Sequence, residues 1–147
     1  MRKLFSLRLG WAFTIFSLLD IIATCMGMGV PFFNILLGFP VGWVIARRFS
    51  KLEMPTKRLM IKSLLWSALT AGFTVILMLV IWARTASMLF DPSADLANFG
   101  IPMILYEPRV SFIGWLVLMT LISPFLQFLM SVFGVHLALV SPVSEKV

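Results

Sequence analysis

Asp20 is the residue whose chemistry is least expected from its surroundings. It is the single charged side chain in the 38 residues from Leu9 to Ala46, which are otherwise apolar, small or uncharged polar. A charged aspartate at the centre of a bilayer costs roughly 2.5–3.5 kcal/mol, so such an acid is either satisfied by hydrogen bonds or kept for proton or ion movement. Asp20 is therefore the candidate coupling residue of this chain, with a structural role as the alternative.

Three uncharged polar side chains are candidates for contact with Asp20. Asn34, Ser123 and Gln127 lie at a similar depth within the apolar segments that contain them. No Lys or Arg lies inside these segments, so hydrogen bonds rather than an ion pair must satisfy the carboxyl group. We predict a polar core made of Asp20, Asn34, Ser123 and Gln127, which either holds the fold together or couples the movement of a proton or cation.

Small and hydroxyl residues recur at steps of three and four in every long apolar segment. Such steps place residues on one face of a helix, and helices in lipid associate through small residues and interhelical hydrogen bonds. We predict that these faces point inward in a four-helix bundle, with a polar path or binding site as the alternative. The stripes are Ser17, Asp20, Thr24 and Gly27; Asn34, Gly38, Gly42 and Ala46; Ser63, Ser67, Thr70 and Thr74; and Thr120, Ser123, Gln127, Ser131 and Gly134.

The sequence contains no motif for other familiar chemistry. It has one histidine and one cysteine, too few for the usual metal-ligand patterns. No phosphate-binding glycine loop, nucleophile elbow or paired-carboxylate motif occurs. We therefore expect no catalytic residue, no metal and no cofactor, and we do not predict an enzyme.

The composition predicts an all-α integral membrane protein. Hydrophobic residues make up 61% of the chain and charged residues 12%, whereas soluble domains carry about 25% charged residues. As one helix, the segment from Leu9 to Ala46 would be about 57 Å long, nearly twice the roughly 30 Å hydrocarbon thickness. The turn formers from Gly27 to Pro31 divide it into a hairpin. We predict one domain, 1–147, with four spans at about 11–29, 32–46, 63–83 and 110–136.

Lys and Arg are distributed unequally about these spans. With four spans, ten of the twelve basic residues fall on the side that holds both termini. Cytoplasmic segments carry an excess of basic residues, so we predict cytoplasmic termini in a plasma or inner membrane. The net charge of +6 is assigned to the lipid surface rather than to nucleic acid. The predicted basic membrane-facing loop, 47–62, contains Arg47, Arg48, Lys51, Lys57, Arg58 and Lys62.

Two features of the second half leave alternatives open. The predicted outer loop, 84–109, contains an apolar segment at 96–106 that is too short to span. We favour an interfacial position over a re-entrant one, because a re-entrant loop must be shielded from lipid. The last apolar run continues to Val140, so it must tilt, kink at Pro124 or project beyond the membrane.

The predicted function is that of a non-enzymatic accessory or interaction subunit of a membrane assembly. Its expected partners are the lipid bilayer and other membrane proteins in a homo- or hetero-oligomer. The alternative is a small proton- or cation-coupled transporter that uses Asp20. A transporter would move a substrate alone after reconstitution, whereas an accessory protein would tolerate Asp20→Asn and purify with a partner.

Overall fold

The chain forms a helical bundle. The computed structural model describes residues 9–27, 31–52, 54–100 and 105–141, and within these ranges regular structure is helical. A π-helical segment, Leu118–Ile122, joins the last two helices into one continuous helix. The all-α prediction is confirmed for the described part of the chain. The helices are α1 Leu9–Gly27, α2 Phe32–Ser50, α3 Thr56–Ser87, α4 Pro108–Val117 and α5 Ser123–Val140.

Three helices are long and apolar enough to cross a membrane. They are Phe32–Ser50, Thr56–Phe90, which adds the 3-10 turn after α3, and Pro108–Val140. The apolar part of α1, Gly10–Cys25, is shorter. The predicted turn of the first hairpin falls partly on residues 28–30, which lie outside the described residues.

The predicted basic loop, 47–62, is mostly helical, and this prediction needs correction. Arg47 and Arg48 lie in the last turn of α2, and α3 begins at Thr56 directly after Pro55. Proline has no N–H to satisfy, so it is well suited to a helix start. The basic residues after it are good helix formers. Positive charge marks where the apolar part of a helix ends, but it does not end the helix itself.

The helix that contains Pro124 widens locally instead of breaking. The backbone N–H of Ser123 donates to the carbonyl oxygen of Leu118, five residues earlier, which gives a π-helical turn. Proline lacks an N–H and its ring crowds the carbonyl four residues before it. A π-helical turn accommodates this disturbance while the helix continues. The long apolar run is therefore one helix with a π segment directly before Pro124.

The closest helix pair is α2 with α5. Gly38 and Gly42 on α2 lie against the backbone of Gln127 and Ser131, and Gly134 on α5 lies against the backbone of Phe39. A methyl group at any of the three glycines would overlap a backbone carbonyl group. Close approach at small residues is how helices pack in lipid. In contrast, α1 makes fewer contacts with α2 and α3.

An apolar cluster closes the end of the bundle where α3 meets α4. Its buried members are Phe112, Trp115, Leu116 and Met119. The rings of Trp82 and Trp115 meet edge to face with centroids 4.4 Å apart. The connecting loop packs against this end through Leu96, Phe99 and neighbouring residues. Because residues 101–104 lie outside the described ranges, the interfacial position of 96–106 stays a prediction.

Candidate functional site: the buried Asp20 cluster

The Asp20 carboxyl group receives hydrogen bonds from three other helices. Asn34 of α2 donates from Nδ2 to Oδ1 at 3.3 Å. Gln127 of α5 donates from Nε2 to the same oxygen at 3.1 Å. Thr74 of α3 donates from its hydroxyl to Oδ2 at 2.8 Å. One side chain of α1 thus connects all four helical rods of the bundle.

Two threonines position the groups around Asp20. Thr24, one turn after Asp20, donates its hydroxyl to the Asp20 backbone carbonyl at 2.8 Å. Its oxygen accepts a second bond from Asn34 Nδ2 at 2.8 Å, which holds the amide beside the carboxyl group. The Thr74 hydroxyl also lies 3.2 Å from the Thr70 carbonyl, a local acceptor on its own helix. The shorter contact is the one to Asp20.

The cluster is closed and its donors carry no charge. Asp20 and Thr74 are 0% exposed, Asn34 is 1% exposed and Gln127 is 2% exposed. Each contact to the carboxyl group comes from an amide or a hydroxyl group. Such donors can satisfy the carboxyl oxygens, but they supply no positive charge to offset an ionised acid in a low-dielectric interior. The geometry is that of a hydrogen-bonded interhelical clasp.

Two buried oxygen atoms near this clasp lack a partner. Gln127 Oε1 and Ser123 Oγ have no hydrogen bond within the described part of the chain. Ser123 is fully buried, as predicted for the polar core, but it does not contact Asp20 through a hydrogen bond. Buried polar atoms are nearly always satisfied. Gln127 Oε1 and Ser123 Oγ are therefore acceptors with no donor among the described residues.

The polar core continues along α3 and α5 as a ladder. The hydroxyl groups of Ser67 and Ser131 lie 2.7 Å apart and share a hydrogen bond. Ser63 is also buried, but its hydroxyl oxygen has no partner in the residues described. The buried faces of α2, α3 and α5 contain the predicted stripes apart from Thr120, which is half-buried. The inward orientation of those stripes is confirmed.

The basic residues lie at another level of the bundle. Arg47 is 13 residues after Asn34 on α2, about 20 Å along the helix axis. Its guanidinium lies over the Trp43 ring, 5.1 Å from the centroid, and donates to the Ser141 carbonyl at 3.3 Å. Lys57, Arg58 and Lys62 begin α3 at the same end. The structure therefore brings none of these basic groups to the carboxyl group of Asp20.

Thr74 is the member of the cluster that the sequence reasoning missed. Depth matching selected Asn34, Ser123 and Gln127, although Thr74 belongs to the predicted α3 stripe and lies near the middle of the predicted span. A hydroxyl in a transmembrane helix often bonds its own backbone, and the sequence could not show that Thr74 would also reach Asp20. Its position in the stripe was the available signal.

The described residues contain no cluster of the usual metal-ligating side chains. Among residues with described placement, no three His, Cys, Asp or Glu side chains come together. Comparisons with protein-family models, with curated proteins and with solved structures find no match to this chain. In the described ranges, the fold and site define a helical bundle with three helices long and apolar enough to cross a membrane and with the buried acid Asp20 at its centre.

Proposed function

We propose that the protein is a non-enzymatic, multi-pass membrane protein that serves as an accessory or interaction subunit of a membrane assembly. In this proposal α1 is a fourth span, both termini are cytoplasmic, and the membrane is a plasma or inner membrane. The chain works as a homo- or hetero-oligomer. Its partners are lipid and other membrane proteins, and nucleic acid is not among them.

The closed Asp20 clasp carries the proposal. An intramembrane acid that moves ions must reach water or a substrate on at least one side. Asp20 has no exposed surface, and the donors on its carboxyl oxygens come from α2, α3 and α5. Interhelical hydrogen bonds of this kind stabilise helix association in lipid. The acid is therefore used to hold four helices together.

Charge distribution supports the proposed orientation. Ten of the twelve basic residues lie on one side of a four-span arrangement, and such an excess favours the cytoplasm. A reporter fused after Val147 should signal a cytoplasmic position, and one inserted beside Ser93 an external position. Finding both reporters on the same side would contradict four spans.

An open face on α3 supports a role in binding other membrane proteins. Ala68 is exposed, and Gly72 has open space where a side chain would begin. They line a shallow depression of about 410 Å³ together with Phe13 of α1 and with four further residues of α3, Leu65, Leu69, Phe73 and Ile76. Small residues four apart allow a neighbouring helix to approach closely in lipid. The expected occupant is an apolar transmembrane helix of a partner subunit.

Purification in mild detergent followed by cross-linking and mass spectrometry tests this role. We expect the chain to be recovered with a second protein or a second copy, and Gly72→Leu to abolish that recovery. Gly114→Leu is the matched control, because Gly114 likewise has open space where a side chain would begin, but lies on α4. Recovery that is equal in both variants would contradict the assigned face. A chain that is always recovered alone would contradict the proposed function.

A small proton- or cation-coupled transporter is the second candidate. The observation that favours it is the pair of unpaired buried oxygens, Gln127 Oε1 and Ser123 Oγ, at the clasp. A protonated Asp20 could donate to the Gln127 oxygen after rotation of the amide group. This change of partner would link proton binding to the contact between α1 and α5.

Reconstitution distinguishes the two functions. The purified chain in vesicles with an imposed proton or sodium gradient should show no ion flux if it is an accessory protein. Asp20→Asn should then fold and keep its partner. Flux that is present in the natural chain and lost in a stable Asp20→Asn variant would establish the transporter instead.

A further inference from the structure

An apolar groove lies between α1, α2 and α3, separate from the Asp20 clasp. Its volume is about 220 Å³. Ile15 and Leu19 of α1, Val41 and Val44 of α2, and Trp66 of α3 are among its walls. Thr70 is the one hydroxyl residue in a lining that is otherwise apolar. The groove lies where α1 packs less extensively, so apolar side chains there remain partly uncovered.

Basic residues flank one end of the groove. Arg48 follows Val44 by four residues and Val41 by seven, so it lies on the same face of α2. Lys62 precedes Trp66 by four residues and shares its face of α3. Both lie at the end where α2 finishes and α3 begins. The groove thus has an apolar body and a positively charged mouth.

We infer that this groove binds one acyl chain of an anionic phospholipid, whose headgroup phosphate lies at Arg48 and Lys62. The volume is below the roughly 300–1,000 Å³ of pockets that enclose a whole drug-sized ligand, but it suits one narrow chain. The basic mouth selects a headgroup with negative charge.

The bound chain would also complete the packing of α1. An unfilled gap between helices loses dispersion contacts on the side chains that line it. An acyl chain restores those contacts for Ile15 and Leu19 without a further protein partner. This inference is independent of the proposed function, because the groove and the depression around Ala68 and Gly72 have only Phe13 in common among their lining residues.

Retention of defined lipids tests the inference. The full chain is incubated with equal amounts of phosphatidylglycerol and phosphatidylcholine with identical acyl chains, and lipids retained in mild detergent are counted by native mass spectrometry. We expect one retained lipid with at least a tenfold preference for phosphatidylglycerol. Equal retention of both lipids or no retention would overturn the inference.

Two pairs of variants locate the site. Val44→Trp fills the groove and should abolish retention, whereas Val80→Trp, at an exposed α3 position outside the groove, should not. Arg48→Gln with Lys62→Gln should reduce the preference about tenfold or more, since each basic residue contributes roughly fivefold near an anionic surface. Lys57→Gln with Arg84→Gln removes the same amount of charge at positions outside the mouth of the groove. This pair should keep at least half of the preference for phosphatidylglycerol. If a variant of the groove and its control have equal effects, the assigned position of the lipid is wrong.

A direct mapping experiment does not depend on the folding of any variant. Phosphatidylglycerol with a photoreactive group near the end of one acyl chain is bound to the natural chain and irradiated. Digestion and mass spectrometry should place the cross-links on 12–19 and 37–45. Cross-links spread over the outward faces of all helices would overturn the inference in favour of ordinary lipid contact.

Discussion

Two faces of this bundle have small residues at the same spacing but meet different surroundings. The closed face, Gly38 and Gly42 on α2, lies directly against the backbone of α5. On the open face, Ala68 and Gly72 on α3, Ala68 is exposed and nothing lies within 4 Å of a methyl group added at Gly72, although Phe13 of α1 lines the same depression. The difference follows from polar residues. Asn34 shares the closed face and bonds within the bundle, while the hydroxyl groups of α3 are buried on the inward side. Small residues four apart allow two helices to approach closely. The polar residues on a helix determine which of its faces is buried in the bundle.

The largest expected effect on stability comes from replacing one glycine of each face by alanine, Gly42 on the closed face and Gly72 on the open face. Gly42→Ala should lower the free energy of unfolding by about 3 kcal/mol or more, since overpacking typically costs about 1–3 kcal/mol and the added methyl would meet the Ser131 backbone. Gly72→Ala should stabilise by up to about 1 kcal/mol, because alanine has the higher helix propensity. Unfolding in detergent measures both. Equal stabilities for the two variants would remove the distinction between the faces.

The second test asks how much of the closed bundle depends on the Asp20 clasp. Asp20→Leu leaves the buried Gln127 amide without its acceptor, while Asn34 and Thr74 keep their second acceptors, and it should cost about 1–3 kcal/mol. Asp20→Asn should cost less, because its amide can donate to the Thr74 hydroxyl, which then turns to the Thr70 carbonyl. Thermal unfolding in detergent compares the two variants. If Asp20→Leu unfolds at the same temperature as Asp20→Asn, the glycine contacts hold the bundle together without the Asp20 clasp.

A smaller effect is expected at the hydroxyl ladder. Ser67→Ala removes the hydrogen bond to Ser131 and should cost about 0.6 kcal/mol, the average for interhelical hydrogen bonds in a membrane protein. Ala68→Ser places a hydroxyl at the adjacent, exposed position and should change stability by less than about 0.5 kcal/mol. Unfolding curves for both single variants provide the measurement. A larger effect from Ala68→Ser would mean that the open face contributes to stability of the isolated chain.

The smallest expected effect lies in the loop after α3, which belongs to neither face. The Ser93 side chain and backbone N–H donate to Asp91 and lower its pKa, and Asn98 does the same for Asp95. These bonds therefore stabilise the two turns above the ordinary aspartate pKa, and that contribution is lost as pH falls through the lowered values. Amide shifts of Ser93 and Asn98, followed by NMR from pH 6 to pH 2, should report the change.

Asp91→Asn provides the control for the loop. It should flatten the titration of the Ser93 amide while leaving that of Asn98 unchanged, since Asp95 holds the second turn. Titration of both amides in this variant as in the natural chain would contradict the assigned bonds. Neither the fall in pH nor Asp91→Asn should change the packing of the closed face or of the open face.

Helix positions and inward faces could be read from the sequence, whereas several boundaries and partners could not. Apolar length and stripe spacing identified the helices of the bundle, and depth matching found Asn34 and Gln127. Spacing does not determine how two helices are rotated about each other, so Thr74 was missed and Ser123 was assigned a contact it lacks. Charge indicated the membrane boundary near 47–62 but not that α3 already begins at Thr56. Four spans, orientation and function stay predictions.

The joining of the second helix to the last one determines the order in which the bundle can be completed during synthesis. Gln127 follows Asp20 by 107 residues, which a ribosome adds in about 5–20 s at roughly 5–20 residues per second. Throughout that interval, Asp20 has at most Asn34 and Thr74 as donors from other helices. Gly38 and Gly42 have no α5 backbone to pack against. Until the last helix is made, the polar faces of α1, α2 and α3 therefore lack their partner on α5.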